Sequence, residues 1–488
     1  MKEVDLSLDN LDKCFPEHFT EEMISVAKTV FYNKLAVHMH KFYRGKMMTM
    51  PKSGIWGFNW FNVYYTPGVS AVSTAIRDDI NTSFDLSNRG NLVAVVSDST
   101  RVLGDGDCGV AGGLGVMEGK AMLMKYLADV DAVALCIDSR NSMGISDPDK
   151  IVDFVKMAAP SFGAVNLEDI SHPNCYYVLD RLREECDIPV WHDDAQGTAC
   201  VTLAGLINAL RLAEKDIKNC RIVLLGAGAS NSTVARFLLL EGANPEKMIL
   251  FNSKGGLHKN RHDLRDDERF YLQWELCQKT NPDCVNEVST AMIGADVLIA
   301  LSTPGPNVVK PEWIKTMAAK PIVFACANPI PEIYPYAAKE AGAFIVATGR
   351  GDFPNQVNNS LGFPGILKGT LLTNAKKITD NMAIAASHAL AGYTARKTLS
   401  TEHILPKMTE TEVFAYVAEA VAQQAIKDGV ARIAFPIEYV KDQTMKSILG
   451  TRKLIQDMIR DRDILEPPKD LLQDIFRLAV ESVENRQG

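Results

Sequence analysis

The stretch RIVLLGAGASNSTVARFLLLEGANPEKMILF, residues 221–251, decides the fold class of this chain. Its apolar run RIVLLG (221–226) is typical of a buried strand, STVARFLLLEGA (232–243) has helical periodicity, and KMILF (247–251) is a second apolar strand. A strand, a helix and a strand in this order predict a parallel α/β unit. Glycines directly after the first strand predict that this unit binds a dinucleotide.

Two glycine-rich segments compete for the role of phosphate-binding loop. The segment 104–109 matches the GxGxxG pattern, but it follows a polar break and contains two aspartates, which would repel a pyrophosphate. There we expect a tight turn that shapes a substrate pocket. Gly226, Ala227 and Gly228 instead follow a strand directly and precede a helix, whose first N–H groups bind phosphate. We predict that these three residues line the pyrophosphate.

Similar segments on both sides extend the α/β pattern. Strands are predicted at 92–97, 131–137, 297–301, 321–327 and 343–348, and helices at 21–48, 116–128 and 200–213. Residues 367–488 have mostly helical periodicity. We therefore predict an N-terminal α/β substrate and metal domain (1–194), a Rossmann-type doubly wound nucleotide-binding domain (195–432) and a helical C-terminal extension (433–488).

The composition is that of a globular protein and excludes several classes. The 488 residues have a formal net charge of −8, and 47% of them are hydrophobic, which argues against disorder and against a nucleic-acid partner. No apolar run approaches the roughly 20 residues of a membrane span, and the charged amino terminus predicts no secretion signal. The ten cysteines include no CxxC pair, so we expect reduced thiols and a cytoplasmic location, with an organelle matrix as the alternative.

Two pairs of adjacent acids are the candidates for a metal site. Glu168 and Asp169 lie in NLEDI, and Asp193 and Asp194 follow IPVW, which is typical of a buried strand. Ligands of α/β folds bind at the carboxyl ends of strands, and carboxylates without a Cys or His cluster favour Mg²⁺ or Mn²⁺ over Zn²⁺. The alternative for any such pair is a solvated surface. His192 is close, but a single histidine is more often packed than a ligand.

Two further candidates have equally plain alternatives. Lys120 lies in the predicted helix MEGKAMLMK, where most lysines are simply solvated. Tyr65 precedes a Thr-Pro-Gly turn in VYYTPGVS, where its hydroxyl would be held rigidly, although a structural tyrosine is the default.

Seven motifs, taken together and in order, resemble malic enzymes of the short bacterial type. They are VYYTPGVS, VLGDGDCGVAGGLGVMEGKA, NLEDI, IPVWHDDAQGTA, LLGAGA, FACANPIPEI and GRGDFPNQVNNSLGFPG. The resemblance covers roughly residues 30–430. It implies oxidative decarboxylation of (S)-malate to pyruvate with NADP⁺ or NAD⁺ and with Mg²⁺ or Mn²⁺, and we expect a homodimer or homotetramer.

The resemblance also implies roles for individual residues. The implied metal ligands are Glu168, Asp169 and Asp194. The implied proton acceptor is Lys120, with Asp193 beside it, and the implied proton donor is Tyr65. Contacts to substrate and nicotinamide are implied for Asn328, Asn358 and Asn359. Arg101 stands where some members of the family bind a substrate carboxylate and others do not.

The reaction itself requires such groups. Oxidation of malate needs a base on the C2 hydroxyl while hydride leaves, so Lys120 would need a pKa lowered from about 10.4 to near neutrality. Burial and a nearby cation would lower it, whereas Asp193 would oppose that shift. We therefore interpret Asp193 as a positioning and proton-relay group. One departure from the family pattern is Asn231, in place of a small residue at the third position of the glycine loop. We expect it to loosen the packing of helix on strand.

The end of the second strand predicts NADP⁺ rather than NAD⁺ as coenzyme. NAD-selective Rossmann domains place an acid there, which binds the ribose 2′-hydroxyl. This chain has Asn252, so we expect no carboxylate that repels a 2′-phosphate, and Lys254 would pair with that phosphate. The alternative is that Asn252 bonds the 2′-hydroxyl of NAD⁺ and that Lys254 is solvated.

Three other functions stay open from the sequence. A malolactic enzyme shares these motifs and forms lactate without net turnover of coenzyme. An amino-acid dehydrogenase has the same domain order and a catalytic lysine but needs no metal. A dinucleotide-binding sensor would have no use for a base, an acid and a metal site together.

Overall fold

The computed structural model describes residues 2–102, 105–434 and 436–485. The described residues up to Met50 and from Gly450 onwards form one compact unit, and Pro51–Leu449 form another. The domain division at 194/195 and 432/433 stays a prediction. Gly104, where the GxGxxG pattern begins, lies outside the described residues; of the same segment, Gly106 and Gly109 have positive φ angles of 79° and 73°.

α-Helices are the most frequent regular structure among the described residues. In chain order they are α1 (Glu21–Tyr43), α2 (Phe61–Tyr64), α3 (Val69–Asp78), α4 (Ser83–Leu86), α5 (Leu114–Ala128), α6 (Pro148–Ala158), α7 (Asn174–Glu185), α8 (Thr198–Ala213), α9 (Ala229–Leu240), α10 (His262–Arg265), α11 (Tyr271–Lys279), α12 (Val288–Met292), α13 (Pro311–Ile314), α14 (Pro335–Glu340), α15 (Phe363–Leu372), α16 (Asp380–Lys397), α17 (Glu412–Lys427), α18 (Ile437–Arg460) and α19 (Lys469–Glu484). Among the described residues, none of these helices combines the length and the apolar character that crossing a bilayer requires.

The first sheet has four parallel strands in the order β2-β1-β3-β4. They are β1 (Leu92–Ser97), β2 (Asp131–Cys136), β3 (Ala164–Leu167) and β4 (Val190–His192). Helices α5, α6 and α7 connect them. Because the strands are parallel, their carboxyl ends share one edge, and the loops that carry both acidic pairs begin there.

The second sheet has six strands in the order β10-β9-β8-β5-β6-β7. They are β5 (Ile222–Leu225), β6 (Met248–Asn252), β7 (Gly255–Gly256), β8 (Val297–Ala300), β9 (Ile322–Ala325) and β10 (Ile345–Thr348). All pairs are parallel except β6 with β7. The order of strands reverses on either side of β5, which is where doubly wound folds bind dinucleotides. The predicted α/β fold with a Rossmann-type domain and C-terminal helices is confirmed.

Helix α8 joins the two sheets through one shared core. Its almost continuous apolar run is buried in a cluster that contains Val95 of the first sheet and Phe324 of the second. Gly205 of α8 allows this approach, because a Cβ there would lie 3.2 Å from the ring of Phe324. The sheets are therefore packed against a common helix, and their ligand-binding edges belong to the same compact unit.

The helices of the chain ends form a core of their own. Phe31 of α1 contacts Phe476 of α19, with ring centroids 6.1 Å apart. Leu472 and Ile475 are buried in the same cluster, as expected for an ordinary amphipathic helix. On α18, by contrast, Leu454 is 46% exposed.

Candidate active site

Three carboxylates meet where β3 and β4 end. Leu167 of β3 pairs with His192 of β4, so the acids that follow each strand lie side by side. Glu168, Asp169 and Asp194 each offer an oxygen atom within 4.8 Å of the others. Hard oxygen donors in such a group suit Mg²⁺ or Mn²⁺.

The charge balance of this group also fits a bound cation. Glu168 is 2% exposed, and burial raises its pKa well above the ordinary value of a carboxyl group; Lys120 lowers it, and Asp194, Asp193 and Asp169 raise it further. A dication would relieve this repulsion. His192 is buried behind the group, with Nδ1 3.8 Å from Asp194 Oδ2.

Lys120 of α5 extends its side chain into the same cluster. Its Nζ lies 2.5 Å from Asp193 Oδ2 and 3.1 Å from Glu168 Oε1. It also lies 4.8 Å from the centre of the Phe363 ring. The side chain is only 11% exposed, so the alternative that Lys120 is simply solvated on its helix is wrong.

The carboxylates around Lys120 act on its pKa in the opposite direction to burial. Burial is the largest influence and lowers the pKa, but Asp193, Glu168 and Asp194 together outweigh it, so the pKa is raised above the usual lysine value. The ammonium form is therefore favoured as long as these carboxylates carry no other cation. A lowered pKa in the presence of a cation stays a prediction.

Asp193 is fixed by its neighbours on the strand and in the next turn. The indole Nε1 of Trp191 donates to its Oδ1 at 3.1 Å, and the carboxylate is fully buried. The turn Asp193–Gly197 is π-helical. A Cβ at Gly197 would lie 2.0 Å from Asp193 Oδ1 and 3.3 Å from Asn359 Cβ. Glycine is thus required here, and Asn359 lies against the turn.

The loops after β1, β3 and β4 are joined by hydrogen bonds that backbone N–H groups donate. Asp169 N–H donates to Asp194 Oδ2 at 2.8 Å, and Arg101 N–H donates to the carbonyl of Asp169 at 3.0 Å. The Arg101 side chain is exposed beside this contact. Asn166 Nδ2 donates to Glu168 Oε2 at 2.9 Å.

Sequence reasoning missed three side chains that support the cluster, namely Asn166, Trp191 and Phe363. A signal for two of them was present. Asn166 and Trp191 each lie two residues before an acid of the cluster, and side chains two apart on a strand point to the same face. The sequence around Phe363 gives no such signal, because α15 and α5 are remote in sequence and come together only in the folded chain.

The glycine loop of the second sheet lies next to the carboxylates. Gly226 has a φ of 93°, and a Cβ there would lie 2.4 Å from the carbonyl oxygen of Leu301. A Cβ at Gly228 would meet no atom within 4 Å, which leaves space for a ligand before α9, and Ala227 between them is buried. The Ser230 hydroxyl donates to the carbonyl of Asp194 at 2.9 Å.

Asn231 tightens the packing that it was expected to loosen. Its Nδ2 donates to the carbonyls of Leu225 at 3.0 Å and Gly226 at 2.9 Å, and it approaches Ile299 O at 3.3 Å. The side chain is 1% exposed. The prediction is wrong because the amide replaces the close helix–strand contact of a small residue with hydrogen bonds to two strands.

The end of β6 differs in one respect from the prediction. Asn252 Oδ1 accepts from Lys254 N–H at 3.0 Å and from Arg261 Nη1 at 3.1 Å. Lys254 is 71% exposed, and its Nζ lies 3.4 Å from Asp263 Oδ2. Arg261 holds the pKa of Asp263 far below its usual range. We expected no carboxylate near the position of the 2′-phosphate. This expectation is wrong, because α10 places Asp263 beside Lys254.

The asparagines after β9 and β10 occupy less enclosed positions. Asn328 is exposed, and a Cβ at Gly349 would lie 2.8 Å from its Nδ2. Asn358 caps the short helical turn that follows, because its Oδ1 accepts from Ser360 N–H at 3.0 Å. Glu332 ties the loops after β8 and β9, accepting from Ser302 N–H at 2.7 Å and Ala327 N–H at 3.0 Å.

Tyr65 is not assembled with the other candidates. Its side chain is 72% exposed, and among the described residues its hydroxyl has no hydrogen-bond partner and no contact with Lys120. It belongs to an aromatic surface formed by Trp56, Phe58, Phe61, Tyr64 and Tyr65, all more than 40% exposed.

Two family models match this chain, one over each of the regions that contribute residues to the site. The family model "malic enzyme, N-terminal domain" matches residues 58–183, and "malic enzyme, NAD binding domain" matches residues 195–426. A bifunctional malic/malolactic enzyme from Bacillus subtilis (strain 168) is 41% identical over 85% of this chain and 98% of its own length. An NAD-dependent malic enzyme from Geobacillus stearothermophilus is 43% identical over 80% of this chain and 78% of its own.

Other matching relatives are named NADP-dependent malic enzymes. Among solved structures, the malic enzyme of Entamoeba histolytica superposes with a TM-score of 0.96 and 57% sequence identity, covering 99% of this chain and 100% of that one.

Proposed function

Because the chain belongs to the malic enzyme family, we propose that it catalyses the metal-dependent oxidative decarboxylation of (S)-malate to pyruvate and CO₂, with NADP⁺ as the favoured oxidant. The observation that carries the proposal is the contact of Lys120 with Asp193 and Glu168 beside the three-carboxylate group. A base next to a cation site is what removal of the proton from the C2 hydroxyl requires while hydride leaves C2.

Glu168, Asp169 and Asp194 would hold Mg²⁺ or Mn²⁺. When bound, the cation would polarise the C2 oxygen of the substrate and stabilise the enolate that loss of CO₂ leaves. Its charge would also compete with Lys120 for Glu168 and would lower the pKa of the lysine, opposite to the effect of the bare carboxylates.

Lys120 would take the proton of the C2 hydroxyl. Asp193, whose Oδ2 lies 2.5 Å from Nζ, would orient the amine and act as a proton relay. Arg101 would bind a substrate carboxylate from the adjoining loop, and Asn359, which lies against the Asp193–Gly197 turn, would contact the substrate. Asn328 and Asn358 would face the nicotinamide and substrate from the second sheet.

Gly226, Ala227 and Gly228 would line the pyrophosphate of the coenzyme, since the loop opens towards the amino terminus of α9. Asn252 and Lys254 would bind the 2′-phosphate of NADP⁺. The amide oxygen of Asn252 already accepts two hydrogen bonds, so its N–H groups remain for a ligand. Donors suit a phosphate, which only accepts hydrogen bonds, better than they suit a hydroxyl.

Tyr65 would protonate C3 of enolpyruvate, and we place it in the active site of a second copy of the chain. Exposed aromatic patches of this kind mark interfaces between proteins. A second copy would cover the aromatic surface, and this would bring Tyr65 towards the Lys120 of its partner. The proposal therefore includes a homodimer or a higher homo-oligomer.

Complementation between inactive chains tests this arrangement. Tyr65→Phe and Lys120→Ala chains, each with its own affinity tag, would be co-expressed, and the mixed species would be isolated over both columns. If Tyr65 acts across the interface, a mixed dimer keeps one of its two sites intact. Its activity should then be about half that of the wild-type dimer. Mixed dimers that stay as inactive as the parents would place both groups in one chain.

The overall reaction is tested by initial rates with malate, Mn²⁺ and each coenzyme. Formation of pyruvate and reduced coenzyme in equal amounts supports the proposal. Formation of lactate without net reduction would favour the malolactic reaction, which the name of the Bacillus relative keeps as the second candidate. We also propose a cytoplasmic location, since all the cysteines are free.

A further inference from the structure

Asp98 is a fully buried carboxylate that belongs to no candidate ligand set. It follows β1, and its Oδ1 accepts from the Thr100 hydroxyl at 2.6 Å. Its Oδ2 accepts from the hydroxyls of Ser139 at 2.7 Å and Ser146 at 2.6 Å, both in the segment between β2 and α6. A buried charge is retained only when hydrogen bonds replace its water, and here every one of these donors comes from a loop at the ligand-binding edge.

Thr100 carries this network to the loop after β3. Its hydroxyl oxygen accepts from Ser171 N–H at 2.9 Å while its own hydrogen goes to Asp98. The next residue, Arg101, donates its N–H to the carbonyl of Asp169 at 3.0 Å. The loop of residues 168–171 is therefore tied at two points to the loop that Asp98 fixes.

The backbone of Asp169 needs such support. Its φ is 52°, a left-handed conformation that a residue with a Cβ keeps only when its surroundings hold it. In this conformation Asp169 donates its N–H to Asp194 and brings its carboxylate near Glu168 and Asp194. Without the two ties, other backbone conformations of Asp169 would become accessible.

We propose that Asp98 and Thr100 are positioning residues for the divalent cation, which act by holding Asp169 in its left-handed conformation. The proposal rests on the proposed function only in taking Asp169 as a metal ligand. Groups that orient metal ligands commonly change metal affinity 10- to 100-fold when removed. An effect of about tenfold is expected here, because the support acts through the backbone.

The test is Thr100→Val, which keeps the shape of the side chain and removes the hydroxyl that joins Asp98 to Ser171. Binding of Mn²⁺ to the coenzyme-free protein would be measured by isothermal titration calorimetry. We expect its Kd to rise about tenfold, and Thr100→Ser to restore the wild-type value. Thr100→Ala gives the same comparison if the valine variant does not fold.

Ser139→Ala is the matched control. It removes another hydroxyl from Asp98, but its loop carries no candidate ligand, so thermal stability should fall while the Kd for Mn²⁺ stays within about twofold. An unchanged Kd in Thr100→Val, or an equal rise in Ser139→Ala, overturns the inference. Wild-type protein that binds no Mn²⁺ overturns the proposed metal site as well, so the two failures are distinguishable.

Discussion

Lys120 and Asp193 form a buried ion pair, with Nζ 2.5 Å from Oδ2, although 72 residues separate them in sequence. The pair joins helix α5 to the end of β4. It has no exposed route to solvent on the Asp193 side, since that carboxylate is fully buried. If Lys120 is the base of the reaction, the proton that it takes would be shared within this buried pair.

Replacement of Lys120 by alanine should abolish the oxidation of malate. Removal of a general base typically costs 10²–10⁴ in rate, so we expect a fall in kcat of about that size. Coenzyme binding, followed by the fluorescence of the reduced nicotinamide, should stay the same because the glycine loop is intact. Decarboxylation of supplied oxaloacetate should be affected less, and an equal loss of both reactions would show that Lys120 is not mainly the base of the first step.

Gly197→Ala should damage the active site without touching a charged residue. The new Cβ would lie 2.0 Å from Asp193 Oδ1, so the carboxylate must move away from Lys120 and Trp191. Overpacking of this kind costs about 1–3 kcal/mol, and we expect a lower Tm together with a large loss of kcat. Gly392→Ala in α16 is the control, since a Cβ there meets no atom within 4 Å; it should be neutral or slightly stabilising.

Asp194→Asn should raise the Mn²⁺ concentration needed for half-maximal rate by at least tenfold. A neutral amide is a weaker ligand for a hard dication than a carboxylate, and Asp194 also accepts the hydrogen bond that positions Asp169. The measurement is a metal titration at saturating malate, with direct calorimetry to separate affinity from rate. A titration that matches the wild type would remove Asp194 from the metal site.

Local pattern was sufficient for most of the strands and for the acidic pair after β4, but β3, which precedes Glu168, was not predicted. The apolar runs before Gly226 and before Asp193 could only be buried strands, and parallel topology then forces their following loops to one edge of each sheet. For that reason a candidate acidic site at the end of β4 could be predicted from the residues, whereas the choice of Glu168, Asp169 and Asp194 as ligands came from the resemblance to malic enzymes. The length of each element was less certain, since helix ends depend on capping.

What the sequence could not report depended on contacts between segments that are remote along the chain. The raised pKa of Lys120 comes from carboxylates in the loops after β3 and β4, and one hydrogen bond of Asn231 reaches β8. No periodicity reports such contacts. The exposure of Tyr65 was equally hidden from the sequence, because the local sequence does not report which remote segments lie against a side chain.

The preference for NADP⁺ or NAD⁺ should depend on two neighbouring charged side chains. Lys254 would attract the 2′-phosphate of NADP⁺, whereas Asp263, 3.4 Å from its Nζ, would repel it. A hydrogen bond between charged groups contributes about 1.5–3 kcal/mol, which is roughly ten- to a hundredfold in affinity. Since Arg261 neutralises Asp263 through two hydrogen bonds, of 2.8 and 2.9 Å, we expect Lys254 to prevail and wild-type kcat/KM to be higher with NADP⁺.

Two variants separate these charges. Lys254→Ala should lower kcat/KM for NADP⁺ about tenfold or more and leave the value for NAD⁺ nearly unchanged, because only NADP⁺ carries the phosphate. Asp263→Asn should raise the ratio of NADP⁺ to NAD⁺, and the effect of both variants should shrink at high salt, which screens exposed charges. A wild-type kcat/KM for NAD⁺ equal to or above that for NADP⁺ would contradict the preference, and a ratio unaffected by Lys254→Ala would place the 2′-phosphate away from the end of β6.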